Sequence, residues 1–177
     1  MPAYLVEELQ KAGKLDNTVI VLSSDHYPYG MAEEKIDEFV GRKLGRLERY
    51  ENNVIIWNSQ MEEPIYVDKT CSALDLIPTI LNLFGFEYDS RLFPGNDMLS
   101  DAQSLVVFSD RSFITDTVIY DAKEQTAVSR TGDEVSDDYI KSMKSYVRML
   151  FQYSAGILNE GFFEYVDENC VYEETKE

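Results

Sequence analysis

Histidine is almost absent from this chain: His26 is the only one in 177 residues, so any imidazole chemistry falls to a single side chain. Cysteine is scarce too. Cys71 and Cys170 lie far apart with no metal-type spacing around them, which leaves either free core thiols or one long-range disulfide and does not fix the redox compartment. No apolar run approaches the ~18 residues that a membrane span needs. The opening "MPAYLVEELQKAGK" has no apolar stretch behind a basic start, so no secretory signal is read there, and the chain as given is expected to be soluble. Basic residues are few, 16 Lys and Arg against 33 Asp and Glu, giving a formal net charge of −17. Phosphate backbones are held by clustered Lys and Arg, so a nucleic-acid partner is excluded. There is no Gly-rich phosphate loop, nucleophile elbow or Cys-His pairing, and no internal repeat, Pro/Ser-rich linker or low-complexity stretch.

What is present describes a globular protein. A hydrophobic fraction of 44% over this length predicts one compact domain with a real core, burying roughly 70% of the unfolded surface. The acidic balance repels anions at long range, but screening ends that repulsion within about 8 Å, so a buried cation can still hold an anionic substrate. Helical and strand patterns alternate. Leu5, Val6, Leu9 and Ala12 form one helical face that Gly13 is placed to end. "DNTVIVLSS" follows, apolar without interruption from Val19 to Leu22, as expected of a strand covered on both faces of a parallel sheet. "AEEKIDEFVGRKLGRLERYENN" reads as a charged, helical or partly ordered excursion, and "VIIWN" as a second buried strand. In "CSALDLIPTILNLFGF" a helix starts at Ser72 or Asp75, tolerates Pro78 near its first turn and ends at Gly85. "SLVVFS", "SFITDTVIYD" and "EQTAVS" supply further strands. Ser136 then caps an amphipathic helix with the stripe Ile140, Met143, Val147, Leu150 and Phe151, packed on the rest over residues 133–166, before an acidic tail at 167–177. The predicted fold class is mixed α/β with a largely parallel sheet flanked by helices.

The pair Asp25-His26 sits where the strand Thr18 to Ser23 gives way to a turn made by Pro28 and Gly30. In open α/β sheets ligands gather outside the carboxyl ends of strands. Neighbouring side chains alternate within a strand, but both can converge once the chain leaves the pleat. A carboxylate beside an imidazole suits Mn²⁺ or Zn²⁺ and amounts to half a metal site. The bland alternative has Asp25 capping the turn and His26 as an ordinary surface or core imidazole.

The surrounding segments tip that balance. "GKLDNTVIVLSSDHYPYG", "ALDLIPTILNLFGFEYDSRLFPGNDMLSD" and "SFITDTVIYD" resemble, in order, the carboxyl-terminal part of the catalytic domain of the sulfatase and alkaline phosphatase superfamily. Within it the resemblance is to the lipoteichoic acid synthase family of phosphoglycerol transferases. It covers residues 1–132, and nothing is recognisable beyond Gly132. The resemblance implies that Asp25 and His26 are ligands of a catalytic divalent metal, commonly Mn, with Ca, Mg or Zn as the other possibilities. It also implies that a Glu ligand, a Thr nucleophile and a further His come from polypeptide before Met1, together with membrane helices. The chain is therefore expected to be a fragment whose partner is that amino-terminal half, inactive alone, with an anionic lipid or glycan of the cell envelope as substrate. The parent is expected to be membrane-anchored with an extracytoplasmic catalytic domain. Sulfatases more often carry Asp-Asn here and use calcium, so Asp25-His26 favours a phosphorus ester. A sulfatase or phosphoethanolamine transferase is the alternative of the same class, and a non-catalytic α/β binding or assembly domain that of another.

The remaining candidates carry two readings each. Tyr27 and Tyr29 either line a head-group pocket or cover the turn. Arg91 either reaches a substrate phosphate, as a guanidinium does well, or pairs with Asp89 or Asp97. Arg42, Lys43, Arg46 and Arg49 either meet an anionic lipid or polymer or form a solvated helix face paired with Glu38 and Glu48. Ser109-Asp110-Arg111 matches a family segment without an assignable role. Exposed edges left by an absent half would favour a homo-oligomer.

Overall fold

The computed structural model describes residues 2–169. Where length suggests one domain, the chain divides into two compact units with the break after Tyr66.

The first unit begins with helix α1 (Pro2–Lys11). Gly13, at φ +64°, ends it: the Gly13 and Lys14 N–H groups donate back to the Gln10 and Leu9 carbonyls at 3.0 Å, the glycine-dependent closure the sequence predicts. Strand β1 (Val19–Ser23) follows, then helix α2 (Glu33–Val40) and strand β2 (Val54–Asn58). Glu33 and Glu34 lie at the positive end of α2, and Gly41, at φ +77°, stops it. The basic residues Arg42 to Arg49 are therefore off the helix, in an irregular segment with a 3₁₀ turn at Glu48–Tyr50. Ile36, Leu44 and Leu47 are the buried apolar side chains here.

The sheet differs from expectation. β1 and β2 pair antiparallel, from Val19 opposite Asn58 to Ser23 opposite Val54. Every strand pair among the described residues is antiparallel. An uninterrupted apolar run reports demand for cover on two faces; it carries no information about the direction of its neighbour.

The second unit opens with a 3₁₀ turn (Ala73–Asp75) leading into helix α3 (Leu76–Leu83). Both residues proposed as its start act together: Ser72 accepts from the Leu74 N–H, and the Asp75 carboxylate accepts from the Ser72 N–H at 2.6 Å. Strands β3 (Leu105–Val107), β4 (Phe113–Thr115), β5 (Val118–Asp121) and β6 (Thr126–Ser129) form an antiparallel meander in that order. The single strand read in "SFITDTVIYD" is thus a hairpin. It turns at Asp116-Thr117, where Thr115 Oγ1 accepts from the Thr117 and Val118 N–H groups. Helix α4 (Asp137–Asn159) is capped by Ser136 as predicted, and α5 (Phe162–Asn169) is a separate helix beyond Gly161. Val147 joins Phe113, Val118 and Tyr120 in the core, with Ile140, Met143 and Phe151 packed against it. Most of the acidic tail, and Cys170, lie outside the described residues.

Candidate functional site

β1 delivers the chain to Ser23, and the two residues of interest follow after Ser24. With the pleat ended, the Asp25 and His26 side chains turn toward each other: Asp25 Oδ2 lies 3.4 Å from His26 Nε2. The other carboxylate oxygen accepts from the His26 backbone N–H at 2.9 Å. The other ring nitrogen, Nδ1, is 2.8 Å from the Tyr27 carbonyl. A carbonyl can only accept, so Nδ1 carries a proton and donates, and in a neutral ring Nε2, the nitrogen near the carboxylate, is the one with a free lone pair. Two acceptors that face each other repel unless a proton or a cation lies between them. That is the donor geometry a divalent metal uses, with the imidazole oriented by a hydrogen bond from its outer nitrogen. Asp25 and His26 are both exposed, so the site is open to water.

The fit to a metal is good in kind and incomplete in number. Carboxylate and imidazole suit Mn²⁺ or Zn²⁺. Among the described residues no group of three or more His, Cys, Asp and Glu is placed to hold one ion. Asp25 and His26 would supply two donors of such a site.

Aromatic rings wall one side of the pair. The Tyr29 ring lies 4.3 Å from the imidazole, centroid to centroid, tilted by 35°. Tyr27, half-buried, meets Tyr29 edge-on at 5.6 Å and Tyr50 at 4.7 Å. Tyr27 thus spends its ring on the turn. Tyr50 has no local signal in the sequence; only packing brings it to the turn that follows β1.

Arg91 belongs to the second unit and has a partner of its own. Its Nε and Nη2 donate to both oxygens of Asp89, at 2.8 Å and 2.6 Å, the bidentate pairing a guanidinium favours. Hydrogen bonds from the Arg91 side chain and backbone pull the Asp89 carboxyl down to about 2. Of the basic segment, Arg42 pairs with Glu48 at 2.9 Å, and Arg49 lies 3.3 Å from Asp37 and 3.5 Å from Glu33. Glu38 pairs instead with Lys35, one turn away on α2. Arg111, at φ +67°, turns the β3–β4 hairpin and sets its guanidinium 5.4 Å from the centre of the Phe151 ring, a structural role for the Ser109-Asp110-Arg111 segment. Burial and the nearby Asp75 and Asp116 push the Cys71 thiol up, away from the reactive thiolate. No described helix is long and apolar enough to cross a membrane.

Residues 3–86, from α1 through α3, match the family described as Sulfatase. Over that stretch the chain resembles a sulfatase-superfamily domain, of the mixed α/β, alkaline-phosphatase-like kind. Its curated relatives place it nearer still, as a domain related to the lipoteichoic acid synthases. It is 30% identical over 176 residues to the lipoteichoic acid synthase of Staphylococcus saprophyticus, covering 92% of this chain and 26% of that protein. The lipoteichoic acid synthase-like YvgJ of Bacillus subtilis is 28% identical over 143 residues, 76% of this chain and 23% of the relative. Lipoteichoic acid synthase 1 of the same organism is 26% identical over 165 residues, 86% and 24%. The chain thus spans about a quarter of the length of the curated relatives it matches. Coverage of 92% also carries the likeness past Gly132, where the motifs cease to be readable.

Proposed function

We propose that this chain is the carboxyl-terminal part of a metal-dependent phosphoglycerol transferase of the lipoteichoic acid synthase type, contributing Asp25 and His26 as two ligands of its divalent metal. The observation that carries the reading is the 3.4 Å approach of Asp25 Oδ2 to His26 Nε2, the ring nitrogen not engaged by the Tyr27 carbonyl, just beyond β1. The residues, a carboxylate beside an imidazole, fit Mn²⁺ or Zn²⁺, and Mn²⁺ is the ion the family resemblance favours.

When bound, such an ion supplies positive charge to phosphoryl oxygens and to a hydroxyl nucleophile. Asp25 lowers the net charge of the site and holds the cation. His26 would offer Nε2 while the Tyr27 carbonyl keeps the proton on Nδ1. Neither side chain is a nucleophile in this scheme. The nucleophile and the remaining ligands lie on a separate stretch of polypeptide, and the chain alone is inactive. The substrate is an anionic lipid or glycan head group of the cell envelope, and the whole enzyme is membrane-anchored with its catalytic domain outside the cytoplasm.

The test is a graft. This chain replaces the matching segment of the Staphylococcus saprophyticus lipoteichoic acid synthase, and transfer of phosphoglycerol from a labelled lipid donor is followed. The expected result is Mn²⁺-dependent transfer that falls by about 100-fold or more in Asp25→Asn and His26→Ala, the scale expected when a metal ligand is lost. A folded, active graft indifferent to both substitutions overturns the reading, as does turnover of a phosphodiester by the isolated chain that Asp25→Ala abolishes.

A further inference from the structure

Four rings lie in one chain of contacts at the end of β1: His26 against Tyr29, Tyr29 against Tyr27, and Tyr27 against Tyr50. The last of these sits in the 3₁₀ turn Glu48–Tyr50, more than twenty residues away in sequence, so the row ties the Asp25-His26 turn to a second segment of the same unit. Tyr29 is the member in contact with the imidazole, and its own ring is 65% exposed.

We infer that Tyr29 is a positioning residue for His26, holding the imidazole in the plane that keeps Nε2 3.4 Å from Asp25. The inference rests on the metal-ligand reading of that pair. A half-turn about the Cβ–Cγ bond would put Cδ2 and Cε1 where Nδ1 and Nε2 now stand, and a smaller rotation would carry both nitrogens out of their present plane. The Nδ1 hydrogen bond to the Tyr27 carbonyl selects one orientation, but an isolated hydrogen bond at an exposed site selects weakly. The Tyr29 ring, 4.3 Å from the imidazole and tilted by 35° to it, restrains the plane of the imidazole, and within that plane the hydrogen bond chooses the orientation. The edge contact of Tyr27 with Tyr50 steadies the carbonyl that receives the hydrogen bond, since ring and carbonyl belong to the same residue. What Tyr29 contributes is its ring, and Phe should serve in its place.

The sole histidine makes the experiment direct, because its imidazole signals are unique in an NMR spectrum of the isolated chain. In the metal-free protein, at a pH where the ring is neutral, the nitrogen shifts should report the Nδ1–H tautomer and the carbon-bound protons an aromatic ring-current shift. Tyr29→Phe should keep both, and Tyr29→Ala should lose both while the dispersion of other signals stays unchanged. On titration with Mn²⁺ the imidazole protons should broaden ahead of other resonances. The apparent affinity should weaken by roughly tenfold or more in Tyr29→Ala and by less than about twofold in Tyr29→Phe, as for other groups that orient a metal-bound histidine. Asp25→Asn should remove the Mn²⁺ effect and leave the ring-current shift in place. Retention of tautomer, shift and affinity in Tyr29→Ala overturns the inference, as does a Phe variant that behaves like Ala. A wild-type imidazole that Mn²⁺ does not broaden preferentially overturns the ligand reading itself, and the metal-free spectra then still decide whether Tyr29 orients the ring.

Discussion

In the unit that follows Tyr66, Phe113, Val118 and Val147 are removed from water almost completely. In the unit before it the most buried apolar side chains, Ile36, Leu44 and Leu47, keep 9%, 8% and 7% of their surface exposed, and none is fully enclosed. The contrast runs against composition. β1 and β2 are the more apolar strands, yet Leu22 and Ile55, which face each other across their ribbon, remain 42% and 55% exposed. The meander β3–β6 has shorter strands but receives α4 along one face and closes a core with it. Burial is therefore decided by what lies opposite a strand more than by how hydrophobic the strand is. A ribbon with no charged residue from Asn17 to Ser24 or from Asn52 to Gln60 is built to take cover on both faces. Within the proposed function, that cover comes from the rest of the catalytic domain.

Substitutions can widen or close this difference. Phe113→Ala, in the fully enclosed core, should cost about 3–5 kcal/mol in denaturant unfolding of the second unit. The comparison breaks if the loss is no greater than that for Leu47→Ala in the first. Gly95→Ala should cost about 1–3 kcal/mol, because an added methyl would overlap the Leu74 carbonyl and the Asp75 backbone nitrogen; a calorimetric midpoint unchanged from wild type would contradict that packing. Leu22→Thr and Ile55→Thr should stay within about 0.5 kcal/mol, as exposed positions do. Larger losses would show that the ribbon is already covered in solution, and sedimentation would then reveal self-association.

The smallest expected effect is electrostatic. Asp89 has its carboxyl lowered from 3.8 to about 2 by Arg91, so the pair contributes stability that is present above the unfolded value and lost as pH falls from about 3.8 through 2. Because Arg91 is exposed, that contribution should shrink with salt. In Arg91→Ala the Asp89 carboxyl, followed by NMR, should titrate nearer its ordinary value.

The sequence made local chemistry readable and left longer-range geometry open. Gly13, Ser72, Asp75, Gly85 and Ser136 mark element ends through backbone rules that act over a few residues, and each does so in the structure. The α4 stripe of Ile140, Met143, Val147 and Phe151 is legible because a helix repeats. The antiparallel pairing of β1 with β2 is not, since their partners lie more than thirty residues apart and the pattern of each strand is the same in either direction. At the candidate site, Asp25 and His26 stand out as neighbours after a strand. That Nδ1 would be tied to the next carbonyl, and that Tyr50 would arrive at the turn, depend on how the chain folds back. Arg91 shows the reverse case, where both partners of an ion pair, Asp89 among them, were visible within three residues.

One carboxylate has a reach that its position conceals. Asp75 receives the Ser72 N–H on one oxygen and the Asn96 N–H, at 2.7 Å, on the other, while Thr79 one turn later links the Asp75 carbonyl to the Met98 N–H. The loop from Asn96 to Met98 is thereby riveted to the first turn of α3, and the two should open to hydrogen exchange as a single piece. An amide in place of that carboxylate would offer only one accepting atom to the two backbones, so the rivet would fail on one side or the other.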